Sequence, residues 1–182
     1  MKLLKQNTYL LVAILGIFVS TTSCSSDDNG NEGGENTRVL QVEKADGSLF
    51  EDGEIITFNE VGFLGNDDRD EPGVLRFFMR NTSSQNIVAK IEIADIRGSD
   101  GSMFTFCVQP LCIFEVTQGM SYPQDGAVIA PNQVNSMDDY FINGDPGNEE
   151  TSTIEYDLRF YVVDENGSES DDLMITYRYM PL

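Results

Sequence analysis

Three cysteines, 31 carboxylates and no histidine set the chemistry open to this chain of 182 residues. Without His there is no Ser-His or Cys-His nucleophile pair, no His-ligated zinc and no near-neutral imidazole base. The thiols are left with other work. Cys24 stands directly behind the small residues Ser20, Thr21, Thr22 and Ser23, a run that leaves room for a peptidase and suggests that the thiol takes a lipid. Cys107 and Cys112 enclose four residues, Pro110 among them. On facing strands of a hairpin their Cβ atoms come within the ~3.5–4.5 Å that a disulfide demands, and an oxidising compartment favours that bridge. A redox pair is the weaker reading, since the spacing is not Cys-x-x-Cys and nothing basic adjoins it.

The carboxylates gather in three loops: Asp67, Asp68, Asp70 and Glu71; Asp138, Asp139, Asp145, Glu149 and Glu150; and Asp164, Glu165, Glu169, Asp171 and Asp172. Calcium takes six to eight oxygens from flexible loops, so the first cluster is the candidate calcium site. The alternation Asn66, Asp68, Asp70 superficially resembles EF-hand spacing, but Glu71-Pro72 stands where that loop needs Gly. The competing reading is a set of solvated acidic turns. A third candidate comes from the aromatics at strand spacing, most of which are core by default. In Phe77-Phe78 and Phe160-Tyr161 adjacent side chains point to opposite faces, so a row of Tyr161, Tyr177 and Tyr179 is a candidate contact surface for protein or carbohydrate.

The segments that must position these groups begin with residues 1–23. Lys2 and Lys5 precede the unbroken apolar run from Tyr9 to Val19. At about 1.5 Å per residue that run spans roughly half of a ~30 Å hydrocarbon core, which makes it a signal peptide and not a membrane anchor. Residues 24–37 hold the lipidated Cys and a stretch of Ser, Asp, Asn, Gly and Glu that cannot bury enough surface to order itself, and it reads as a flexible acidic tether. Residues 38–182 suffice for one domain with its own core. There, short apolar or alternating runs are punctuated by Gly, Asn, Asp and Pro, with no sustained 3.6-residue stripe. Val74–Arg80 and Ile87–Ile93 read as one hairpin, and 153–163 with 173–179 as another. The expectation is an all-β, two-sheet sandwich of eight or nine strands, of immunoglobulin or fibronectin-III character.

The N-terminal stretch resembles bacterial lipoproteins of the Bacteroidetes type. Thr21 departs from the Leu usual three places before the lipidated Cys, while Ser25-Ser26-Asp27-Asp28 is similar to the acidic tract that marks such lipoproteins for the outer face of the outer membrane. The stretches Leu75–Asn81, Cys107–Cys112 and Ile154–Tyr179 look like immunoglobulin-like accessory domains of surface proteins from the same group. That resemblance implies an interaction module with no catalytic residue to carry over.

A formal charge of −20 repels phosphate backbones and anionic headgroups, so nucleic acid is excluded as a partner and the lipid alone must hold the membrane. The expected protein is noncatalytic, lipid-anchored in the outer membrane and exposed at the cell surface, binding a protein or glycan. The alternatives are a small carboxylate-dependent hydrolase, such as a glycoside hydrolase with two carboxylates about 5–10 Å apart, and a structural lipoprotein facing the periplasm.

Overall fold

Alternating burial runs through the longest strands, and it dictates two layers. In the computed structural model, which describes residues 38–63, 72–148 and 153–182, ten strands form two five-stranded sheets, and there is no helix among the described residues. The strands are β1 (Leu40–Lys44), β2 (Glu54–Phe58), β3 (Val74–Asn81), β4 (Ile87–Arg97), β5 (Phe104–Val108), β6 (Leu111–Ile113), β7 (Ser121–Ile129), β8 (Tyr140–Asn143), β9 (Ile154–Val163) and β10 (Glu169–Tyr179). All belong to one unit, Asn36–Leu182. The signal peptide, Cys24 and the tether expected at 24–37 lie outside the described residues.

The first sheet runs β1-β3-β8-β5-β6 and the second β2-β10-β9-β4-β7. In chain order, β1, β3, β8 and β5 occupy the places of strands A, B, E and D of an immunoglobulin sandwich, and β10, β9 and β4 those of G, F and C. β2 adds to β10 in parallel, with Ile56 opposite Tyr177. β6 and β7 extend the two sheets on the opposite side. The sandwich therefore has two lateral seams, one between edge strands β1 and β2 and one between β6 and β7.

The hairpin expected from Val74–Arg80 and Ile87–Ile93 does not form: β3 and β4 lie in different sheets. Asn81 explains the crossing. Its Nδ2 donates to the carbonyls of Gln85 and Ile129, and its Oδ1 accepts from the Ser83 N–H, so the side chain builds a corner instead of a tight turn. The last hairpin forms as expected, with a register shift between Ser170 and Leu173. Met137–Ile142, legible as strand or helical turn, divides into a loop to Asp139 and strand β8 from Tyr140. The count is ten strands and not eight or nine because β6 and β8, of three and four residues, are too short to show a periodicity of their own.

Stacked rings fill the space between the sheets. Phe77 lies on Phe141 at 4.4 Å between centroids and Phe104 on Tyr156 at 3.9 Å, while Phe160 meets Phe77 edge-on. Two hydroxyls enter this apolar layer and both are satisfied. Tyr177 donates to the carbonyl of Gly73 at 2.5 Å and accepts from the Asn143 N–H, and Tyr156 donates to Asn143 Oδ1 at 3.1 Å. Gly73 has φ +74°, and a Cβ there would stand 2.7 Å from the Gly62 nitrogen, so the approach of these two loops requires glycine.

Candidate functional site

The thiol expectation holds where it can be seen. Cys107 and Cys112 are paired across β5 and β6 and joined by a disulfide. A two-residue turn, Gln109-Pro110, closes the hairpin. Beneath it sits Asp139, buried completely. Its Oδ1 accepts from the Gln109 N–H at 2.9 Å and its Oδ2 from Asn135 Nδ2 at 2.8 Å. Burial pushes this carboxyl up to about 6, against the two hydrogen bonds that favour its charged form. The hairpin is thus stapled twice, by a covalent bond across its strands and by a carboxylate under its turn.

What the hairpin presents is apolar. Leu111 is 40% exposed and Phe114, just beyond β6, is 67% exposed, unlike most of the aromatics at strand spacing. A three-residue edge strand has no second layer beyond it to bury such a side chain. Across the seam Val128 of β7 is 65% exposed, facing outward between the buried Ala127 and Ile129. Between the hairpin and β7 lies a cavity of about 380 Å³, lined by Gln109, Pro110, Leu111, Pro123–Val128 and Asn135.

Other concavities differ in character. At the β1/β2 seam a hollow of about 480 Å³ has apolar walls, Phe50, Ile56, Phe58 and Leu75, with the Lys44–Glu54 ion pair among its lining residues. A polar hollow of about 630 Å³ is lined by Ser99, Asp100, Ser102, Asp145 and Asn148 with two glycines. Asp145 there accepts from the Ser99 hydroxyl and the Gly147 N–H, and Asp100 from the Ser102 N–H. These carboxylates shape turns.

The tyrosine row does not exist as a surface. Tyr177 is wholly buried and Tyr179 nearly so, because both share the inward face of β10 with Leu173 and Ile175. Tyr161 points the other way, on the outer face of β9, and is still only 4% exposed. The Arg159 guanidinium lies 4.4 Å from its ring centroid, and its hydroxyl shares a 2.8 Å hydrogen bond with Ser121. The three residues are therefore split between faces and covered.

Asp67, Asp68, Asp70 and Glu71, the candidate calcium ligands, lie outside the described residues, as do Glu149 and Glu150. Among the described residues no three Asp, Glu or Cys side chains are grouped so as to hold a metal. Acidic residues of the third cluster are engaged within the fold. Asp164 accepts from the Asn166 and Ser168 N–H groups, and Asp171 from the Val39 N–H. Glu169 and Asp172 bind Arg159, which also holds Glu92.

Sequence reading passed over the charged ladder on the outer face of the second sheet. Arg97 reaches Asp157, Glu155 and Asp95, and Glu155 also takes Arg178. Hydrogen bonds from Arg97 hold Asp157 and Glu155 below the usual carboxylate range. The signal was present in the charged side chains of both signs at the polar positions of β4, β9 and β10, but only the register places them side by side.

No protein-family model and no curated protein matches this chain. Solved structures that it resembles include the N-terminal domain of PorA, at 14% identity and a TM-score of 0.45 over 77% of this chain and 96% of that one. The CooA pilin subunit from enterotoxigenic Escherichia coli resembles it at 10% identity and a TM-score of 0.40, over 79% of this chain and 99% of that one. Function rests on the chain's own residues.

Proposed function

We propose that this chain is a noncatalytic, lipid-anchored protein of the outer membrane, exposed at the cell surface, whose β-sandwich serves as a binding or accessory module for a protein or glycan. Supporting the anchor is the order of segments: a short apolar run behind two lysines, small residues, Cys24, then an acidic tether that holds the body away from the bilayer. The observation that carries the binding role is the doubly stapled hairpin, which holds Leu111 and Phe114 out in solvent beside a cavity. Rigid exposed apolar side chains at a sheet edge are a contact surface more readily than a reaction centre. The hydrolase reading has less support: Asp139, the carboxyl pushed up to about 6, is spent on holding a turn.

The test is photo-crosslinking in intact cells, with a benzoylphenylalanine at position 114 and, as a control, at position 178 on the charged ladder. Light-dependent adducts from position 114 and not from 178 are expected. Adducts from 178 alone, or hydrolytic turnover of a glycan by the purified full chain, would overturn the reading.

A further inference from the structure

On the binding-module reading above, we propose that the β6/β7 seam accepts an extended segment of a partner protein as an added strand, and that this segment carries Lys or Arg beside alternating apolar residues. The edge strands single out the place. Sheets guard their edges with charge, proline or bulges. β1 holds Glu43 and Lys44, β2 holds Glu54, and β7 holds Pro123, Asp125 and a register shift against β4. β6, with the sequence Leu-Cys-Ile, carries none of these within it and is guarded only by its length of three residues and by Pro110 before it.

Its backbone is also poised for pairing. The two-residue turn makes Val108 and Leu111 the hydrogen-bonded pair, and the alternation of an antiparallel ladder then leaves the N–H and C=O of Cys112 pointing away from β5. The disulfide and Asp139 fix this edge before anything binds, which lowers the ordering cost of association. An added strand would lay one set of alternate side chains over Leu111 and into the 380 Å³ cavity toward Val128, and its end would reach Phe114 just beyond β6.

Charge names the occupant. From Gly98 to Leu158 the chain contains no Lys or Arg, and the carboxylates that count here are those beside the seam, since Glu155 and Asp157 are already paired with Arg97 and Asp139 is buried. Glu115 adjoins Phe114, and Asp125 lines the cavity. Lys90, on the neighbouring β4 beside Gly126, does not line it. A second copy of this chain would bring the same acidic edge against itself, and a glycan offers no strand backbone to pair. A cationic, apolar peptide strand matches both features.

Random nonapeptides displayed on phage are to be panned on the full chain and, in parallel, on the Leu111→Lys/Phe114→Lys variant, with circular dichroism and an intact disulfide as checks on its folding. Expected is enrichment of alternating apolar peptides rich in Lys and Arg. Synthetic versions should bind the variant at least tenfold more weakly and lose affinity as salt rises. If the variant misfolds, backbone N-methylation of the peptide replaces it and should abolish binding to the unaltered chain. Enriched peptides without excess cation, equal binding to the variant, binding that survives N-methylation, absence of enrichment, or dimerisation of the chain alone on sedimentation would each overturn the proposal. Adducts from position 114 alongside a failed panning would leave the module reading standing and remove the cationic strand.

Discussion

Replacing Asp139 by Asn should raise stability at neutral pH and flatten its dependence on pH. Asp139 is fully buried, and its carboxyl is pushed from the ordinary 3.8 up to about 6. A group with a raised native pKa binds its proton more tightly when folded. Its contribution is complete below the unfolded pKa and is lost as pH rises through the folded one. A shift of this size corresponds to about 3 kcal/mol at 1.36 kcal/mol per pH unit, of which about 2 kcal/mol disappears between pH 4.5 and pH 7. The carboxylates held low by partners, such as Asp157 and Glu155, act in the opposite sense, and they do so mainly below this window. Asn keeps an acceptor for the Gln109 N–H and carries no charge to desolvate, and its Nδ2, which replaces the Oδ2 that accepts from Asn135, is satisfied once the Asn135 amide turns to offer its oxygen. Urea unfolding of both proteins at half-unit steps from pH 4.5 to pH 7 gives the difference directly. The Asn variant should gain on the native protein by about 2 kcal/mol across that range. A constant difference, or one that shrinks as pH rises, would refute the placement of a costly buried carboxylate beneath the hairpin.

Three further outcomes follow from the same structure. Thiol labelling of the native full chain should leave Cys107 and Cys112 unmodified until reductant is added. Replacing both by Ser should cost about 2 kcal/mol, as loop entropy gives for so short a closure. Tyr177→Phe should cost about 1–3 kcal/mol in denaturant unfolding, because it strips the Gly73 carbonyl of its buried donor, whereas an unchanged midpoint would mean that the hydroxyl does not cross the core. Arg97→Gln should cost about 1 kcal/mol at low salt and less at high salt, since the 41% exposed guanidinium is already partly screened. Equal losses at both salt concentrations would contradict the ladder.

The two-sheet architecture was legible because period-2 burial is a local property: Ile87, Ala89, Ile91 and Ile93 alternate in sequence and all face the core. Sheet membership was not legible. Nothing in Val74–Asn81 says that its neighbour in the chain belongs to the other sheet, since that is decided by Asn81 reaching Ile129, 48 residues away. The cysteine pair could be read from spacing alone. The tyrosines misled because periodicity gives the face of a strand but not which face meets the core, and an outward ring such as Tyr161 can still be roofed by Arg159. Phe114 is an exception among aromatics that are mostly core, because hydrophobic character does not reveal that it follows an edge strand. Asp100, Asp145 and Asp164 cap turns, whereas Asp139 is buried and Glu169, Asp171 and Asp172 belong to β10. Which turn each carboxylate caps depends on backbone N–H groups that no composition displays.

The central claim is that Cys24 carries the lipid that fixes this sandwich to the outside of the cell, and intact-mass spectrometry of the chain from the membrane fraction tests it most directly. The account predicts a polypeptide that begins at Cys24 with the added mass of a diacylglyceryl thioether, and a Cys24→Ala variant that leaves the membrane fraction. A mature chain bearing an unmodified Cys24 thiol, or one that begins elsewhere and carries no lipid, would contradict it.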